Sequence, residues 1–374
     1  MAVKIILLIL FFGVMMGIGV YARKHATDVN GFVLGGRSVG PWLTAFAYGT
    51  SYFSAVVFVG YAGQFGYKYG LASTWIGIGN AVLGSLVAWV VLGRRTRIMS
   101  KHLGSMTMPD FFGKRYDSQS LRIAASVIAF IFLIPYTASV YNGLSYLFGM
   151  AFDVDFRICV VVMAVLTGVY VIIGGYMATA WNDLIQGIIM LFGIVAVIAA
   201  VLSGHGGFMA AVKELAQVPS SVMPGAYASF LGPDPANLFG VVILTSLGTW
   251  GLPQMIQKFY AIKDEKAVHT GTIISTLFAI VVSGGCYFLG GFSRISGVKE
   301  AVDGTVKYDT IIPTMLSSLP DILIGIVIVL VLSASMSTLS SLVLTSSSTL
   351  TLDFIKPLFV KKMNEKQQLV WMRV

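Results

Sequence analysis

The chain has 374 residues, 56% of them hydrophobic and only 11% charged, where a soluble domain carries roughly 25% charge. So few charges cannot coat a globule of this size in water. Disorder, coiled coil and nucleic-acid binding all need far more charge and are excluded together, which leaves an integral, multi-pass membrane protein.

A hydrocarbon core of ~30 Å takes about 20 apolar residues per helix. Nine runs qualify, at 3–22, 41–66, 72–93, 120–150, 156–175, 182–202, 237–256, 270–292 and 321–351. The first resembles a signal peptide, but Ala22-Arg23-Lys24 stops it as an anchor with no small-residue cleavage pattern after it. The connections 22–40, 94–119 with Arg122, 176–181 and 257–269, together with the tail from 352, carry 18 of the 25 Lys and Arg. The positive-inside rule therefore predicts a cell-membrane protein with its N-terminus outside and its tail, 352–374, in the cytoplasm. The net charge of +9 is thus a matter of topology and implies no anionic partner.

The two cysteines, Cys159 and Cys286, lie in apolar runs, and the four histidines lie in polar connections. Neither a disulfide framework nor a metal site of the Cys/His kind is expected. There is no phosphate loop and no HExxH, and Gly77-x-Gly79 sits inside an apolar run rather than between a strand and a helix. An ATP-driven pump and a membrane hydrolase lose support, and the chain is expected to be a non-enzyme with no organic cofactor.

Three segments carry chemistry. From Ser333 to Thr351, Ser and Thr fill twelve of nineteen positions. At 100° per residue, Ala334, Ser337, Thr338, Ser341, Thr345 and Ser348 share one line. Hydroxyls on such a helix either pack against neighbours and bond their own i−4 carbonyls or supply oxygens to a hard cation. The run 41–66 has a polar, glycine-bearing centre, Tyr48-Gly49-Thr50-Ser51-Tyr52-Phe53-Ser54, and the run 237–256 repeats the theme in Thr245-Ser246-Leu247-Gly248-Thr249-Trp250-Gly251-Leu252-Pro253-Gln254. Two interrupted helices in matching places point to a transporter's binding site; a glycine or proline kink without a ligand is the plainer alternative. Asp183, at the start of the sixth run, is the carboxylate nearest the hydrocarbon. It reads either as part of an ion pathway or as a helix N-cap. Pro135 kinks the fourth run beside a polar patch of Tyr136, Tyr141 and Asn142, and Gly13-x-x-x-Gly17 is a common helix-packing pattern.

Gly35-Gly36-Arg37-Ser38-x-Gly40-Pro41-Trp42, Gly174-Gly175-Tyr176-Met177-Ala178, Asn182-Asp183-x-x-Gln186 and Ser335-Met336-Ser337-Thr338-Leu339-Ser340 through Thr351-Leu352-Asp353 resemble the sodium:solute symporter family. The likeness runs from about residue 35 to 354. Tyr67-Lys68-Tyr69-Gly70 and Lys263-Asp264-x-Lys266-Ala267-Val268-His269 are most similar to its proline and pantothenate branch. The resemblance implies an all-α, leucine-transporter-like inverted-repeat fold, with a leading helix at 3–22, a first repeat at about 41–202 and an incomplete second repeat at about 237–351. On this resemblance core helix 1 is the run 41–66, core helix 6 the run 237–256 and core helix 8 the run 321–351; in the family the chain goes on beyond core helix 8 through two further core helices, so this one looks truncated. The resemblance also implies Na⁺ as coupling ion, held by the carbonyls of Thr50, Phe53 and Ala334 and the side chains of Ser337 and Thr338. Where proline transporters carry an aspartate in core helix 1 this chain has Tyr52, and where sugar transporters place a gating tyrosine it has Thr249.

The reading is a Na⁺-coupled symporter, importing a small polar solute such as an amino acid or carboxylate by alternating access. By position, solute contacts fall to Ser51, Tyr52, Tyr141, Asn142, Ser246, Thr249, Trp250 and Gln254. The partners expected are the solute, Na⁺ and the lipid bilayer, with no nucleic acid; oligomeric state is not legible. The alternatives are H⁺ coupling, with Asp183 as the titratable group, and a symporter-like membrane sensor.

Overall fold

The structure is a computed structural model that describes residues 2–152, 155–297 and 306–374. Its main elements are α1 (Ala2–Ala22), α2 (Pro41–Tyr52), α3 (Ala62–Tyr69), α4 (Gln119–Phe152), α5 (Phe156–Gly204), α6 (Pro235–Leu247), α7 (Pro253–Ala261), α8 (Glu265–Gly290), α9 (Asp321–Thr349) and α10 (Glu365–Arg373). Among the described residues the only β pairing is one bridge between Val39 and Ile262.

Helix starts follow local chemistry. Pro41, Pro235 and Pro253 stand at the first positions of α2, α6 and α7, where a missing N–H costs nothing. Asp234 and Asp264 cap α6 and α8 by accepting from Asn237 and Ala267.

Among the described residues six helical runs are long and apolar enough to cross a bilayer, and the bent pair of α6 and α7 makes a seventh. Two of the six, Val56–His102 and Val160–Gly204, are 47 and 45 residues long. At 1.5 Å per residue each would reach about 70 Å, more than twice the hydrocarbon thickness. Each breaks at a glycine in the left-handed half of backbone space, Gly70 (φ 61°, ψ −142°) and Gly175 (φ 55°, ψ −146°). A Cβ at Gly70 would lie 2.1 Å from the Tyr227 carbonyl oxygen, so no other residue fits. Val56–Tyr69 completes the pass begun by α2, the rest of that run makes another, and Val160–Gly204 makes two, so that among the described residues the passes match the nine read from the sequence.

Burial ranks the helices. Within its most apolar window α9 is 78% buried, while the window containing α1 is 22% buried. The hydroxyl-rich helix is therefore the central strut, and α1 lies at the lipid-facing edge. Tight crossings are made by glycine on glycine: a Cβ at Gly66 would fall 2.1 Å from Gly290 backbone, and one at Gly290 2.1 Å from the Ala62 carbonyl oxygen. The Gly13-x-x-x-Gly17 pattern is not such a crossing, since both glycines face open space.

Candidate cation and solute site

Both interrupted helices are present, and one interruption falls later than expected. α2 stays helical through Gly49, which is a glycine because the Phe278 ring packs where its Cβ would be, at 2.4 Å. The break comes at Phe53 (φ −101°, ψ 86°), and the chain restarts as a π-helical turn, Val56–Tyr61. The Val57 N–H, which would serve the Phe53 carbonyl in an unbroken helix, donates to Ser54 instead (3.0 Å). The second break lies at Leu252, where the chain is extended (ψ 122°) between a 3₁₀ turn, Gly248–Gly251, and α7, with a bend of 54°.

α9 passes the first break with its hydroxyl line inward, and all six residues of that line are buried. Ser337 Oγ donates to the Thr50 carbonyl at 2.9 Å and lies 3.3 Å from the Ala334 carbonyl. Thr338 Oγ1 lies 3.4 Å from the Thr50 carbonyl and 3.1 Å from that of Ala334. Around a hard cation held at about 2.4 Å, adjacent oxygens of an octahedron stand about 3.4 Å apart. The hydroxyl-to-carbonyl distances here, 2.9–3.4 Å, lie at or somewhat below that spacing, and the break leaves the Phe53 carbonyl without its usual helical donor.

Next to it, on the side away from the basic connections, is a cavity of about 280 Å³ lined by fourteen residues, among them Tyr52, Tyr61, Asn80, Tyr136, Thr249 and Tyr287, with no charged side chain. Asn80 organises one wall. Its Oδ1 accepts from Thr245 (3.0 Å) and Ser246 (3.1 Å), and its Nδ2 reaches Ser283 at 3.4 Å. The Tyr52 hydroxyl donates to the Thr245 carbonyl at 2.9 Å, so α2 and α6 are tied together at their breaks.

The residues read as solute contacts divide. Tyr52 and Thr249 line the cavity, and Ser246 stands behind it on Asn80. Gln254 is fully buried beside the second break, and among the described residues neither its Oε1 nor its Nε2 has a hydrogen-bond partner. Ser51 turns to α9 and meets the Ser341 hydroxyl at 2.8 Å. Trp250 donates to the Leu83 carbonyl (3.0 Å), Tyr141 packs against the core, and Asn142 is exposed, because α4 presents Tyr136 and Ser139 to the cavity instead.

Asp183 is no N-cap: it sits in the interior of α5, eight residues past the Gly175 break, and is fully buried. Its partner is Lys258, 1% exposed, whose Nζ is 3.6 Å from Oδ2. The run expected to end at 256 continues as α7 to Ala261, so Lys258 belongs to the protein interior and not to a cytoplasmic connection. Its removal leaves 17 basic residues on that side, and the charge bias stands. Asn80, Tyr287 and Lys258 escape sequence reading. The legible signals are a lone amide in an apolar run and a basic residue one helical turn after Gln254.

The chain matches the model of the sodium:solute symporter family over residues 32–374. It is 29% identical over 373 residues to the osmoregulated proline transporter of Bacillus subtilis (strain 168), covering 98% of this chain and 74% of that one. It is 31% identical over 362 residues to sodium/proline symporter 2 of Staphylococcus saprophyticus, covering 94% and 68%. Among solved structures, a Na⁺-coupled sialic acid symporter in a substrate-bound outward-open state superposes with a TM-score of 0.80 at 16% identity, over 99% of this chain and 78% of that one. A nucleobase-cation-symport-1 family transporter in a closed conformation gives 0.52 at 13% identity, over 91% and 71%. At those identities the structural likeness carries the fold, while the sequence match carries the family: this chain belongs to the sodium:solute symporter family.

Proposed function

We propose that this multi-pass membrane protein is a Na⁺-coupled symporter for a small zwitterionic solute of the proline type, with Na⁺ held by the carbonyls of Thr50, Phe53 and Ala334 and the hydroxyls of Ser337 and Thr338. The observation that carries the reading is the juxtaposition of that oxygen cluster with a 280 Å³ cavity at two helix breaks. The cavity is at the lower edge of the range for drug-sized ligands, about 300–1,000 Å³, which suits an amino acid. With no charged side chain in its wall, a solute of net charge would be left unpaired at mid-membrane. A zwitterion fits better, because broken helices offer free N–H and carbonyl groups of opposite polarity. The relatives in Bacillus and Staphylococcus are named for proline, which sets the first solute to try. Tyr52, whose hydroxyl is committed to Thr245, stands where proline transporters carry an aspartate, so the fit to proline itself is the point at issue.

In this reading Na⁺ and solute enter from the side opposite the basic connections, which is the outside. The repeats span about 41–202 and 237–351, the N-terminus is outside and the tail is cytoplasmic. The gradient of Na⁺ supplies the energy, and each ligand raises the affinity for the other by the same factor. The test is uptake by proteoliposomes holding the purified protein, with labelled proline and then other amino acids and carboxylates, under an imposed Na⁺ or H⁺ gradient. Accumulation driven by Na⁺ alone is expected. Accumulation driven equally by H⁺ would overturn the ion assignment, and none with any zwitterion would overturn the solute class.

A further inference from the structure

Lys258 sits where the proposed transport path would have to open on its exit side. Its fully buried ammonium meets two other helices: α5, through the Asp183 carboxylate (3.6 Å) and the face of the Tyr176 ring (5.1 Å to the centroid), and α9, through the Ser341 hydroxyl (3.0 Å). Ser341 in turn meets Ser51 of α2 at 2.8 Å, next to the Thr50 carbonyl of the oxygen cluster. Three helices, α5, α7 and α9, thus meet at one ammonium and α2 joins them through Ser341, which lies one helical turn, about 6 Å, beyond Ser337 toward the basic connections. The neighbouring Gln257 adds a second tie, accepting from Thr345 (2.7 Å) and donating to the Val33 carbonyl (2.8 Å).

A buried charge held by so few groups is an unusual feature. An ion pair at 3.6 Å is too long to be a hydrogen bond, and among the described residues neither oxygen of Asp183 has a hydrogen-bond partner. Such a pair is costly to bury and contributes little net stability. Its position suits a barrier better than a brace: a cation leaving the Thr50–Ala334 cluster toward the basic side meets a like charge in a low-dielectric setting.

We propose that Lys258 is the exit latch of the transporter. Its ammonium, held by Asp183 and Ser341, keeps the half of the path nearest the basic connections shut, and α7 must carry it away from α5 and α9 before Na⁺ and solute leave. This rests on the sodium site proposed above, to which the latch is joined through Ser341 and Ser51.

The test reads access to Ser348, a buried residue on the same line of α9 and two turns nearer the basic end. Ser348→Cys is placed in a chain with Cys159 and Cys286 replaced by Ala, and a membrane-impermeant maleimide is added to inside-out vesicles. The double variant Lys258→Met/Asp183→Asn removes both charges, so no lone charge stays buried. In Na⁺-free buffer it is expected to label about tenfold faster than the parent, the value of a hydrogen bond to a charged group. Ser341→Ala, a small change that keeps both charges, is expected to move the rate in the same direction by less. Unchanged labelling in Ser341→Ala, together with unchanged labelling or failure to fold in the double variant, would overturn the latch. The sodium reading is scored separately by whether Na⁺ slows labelling of the parent: if it does not, that reading fails while the Na⁺-free comparison still decides the latch.

Discussion

Removing the hydroxyls of Ser337 and Thr338 one at a time probes the oxygen cluster, and the hydrogen bonds already present there set the size of the effect. A contact to a charged group is worth about 1.5–3 kcal/mol, and a neutral hydrogen bond about 0.5–1.5 kcal/mol. Ser337 Oγ donates to the Thr50 carbonyl at 2.9 Å, a hydrogen bond that needs no ion. Ser337→Ala therefore takes something from the ion-free state as well, which leaves a net loss in Na⁺ binding of about 1–2 kcal/mol, or roughly 5- to 30-fold. Thr338 Oγ1 reaches Thr50 and Ser51 only at 3.4 Å and otherwise bonds its own helix at Ala334 (3.1 Å). Its ion-free state has less to lose, so Thr338→Ala should weaken Na⁺ more than Ser337→Ala does. Thr338→Ser keeps the oxygen and should stay within about twofold. Ser340→Ala is the control, because that hydroxyl, although buried, is spent on the Ser337 carbonyl at 2.9 Å. The assay is the Na⁺ concentration giving half-maximal solute uptake in proteoliposomes at fixed solute. If the Ser337→Ala/Thr338→Ala double variant folds and keeps the parent's Na⁺ dependence, the cluster does not hold the coupling ion.

Three further outcomes are expected. A cysteine at His102 should react with an impermeant reagent from the cytoplasm and one at Ser221 from outside; both positions are exposed, whereas Ser105 in the same connection is fully buried and would report nothing. The reverse labelling pattern would reject the orientation. Gly66→Ala and Gly290→Ala push a methyl into backbone 2.1 Å away and should cost at least the 1–3 kcal/mol of overpacking; a thermal-shift assay checks this, with Gly13→Ala, which meets nothing within 4 Å, staying at the parent's Tm. Asn80→Ala frees the Thr245 and Ser246 hydroxyls at the cavity wall and should raise the solute KM by roughly tenfold with little change in Na⁺ dependence; a shift in Na⁺ dependence alone would place Asn80 with the ion and not the solute.

What could be read from the sequence, and what could not, follows from range. Spans, breaks and the hydroxyl line are periodic or local features of one segment, so hydropathy and helical spacing reveal them: the line through Ala334, Ser337, Thr338, Ser341, Thr345 and Ser348 is buried along its whole length. Gly49 was misleading for the same reason. A glycine looks alike in sequence whether it breaks a helix or admits a ring, and only the partner helix, with Phe278 against it, separates the two. Lys258 and Asn80 are defined wholly by partners far along the chain. Asp183 precedes Lys258 by 75 positions and Ser341 follows it by 83, while Asn80 finds Thr245 and Ser246 more than 160 positions away.

The same contrast bears on how the two halves of the site are tuned. In the proposed site the ion oxygens come from backbone carbonyls and short hydroxyls fixed by two helix geometries, so few substitutions would leave them in place. The solute wall is assembled from long-range side-chain pairs such as Asn80 with Thr245 and Ser246 and Tyr52 with Thr245. Any one of these pairs can change without disturbing the carbonyls of Thr50 and Ala334. A symporter built in this way keeps its ion while its solute drifts. For this chain Tyr52 and Asn80, and not the hydroxyl line, are therefore the positions at which exchange should alter which solute is carried.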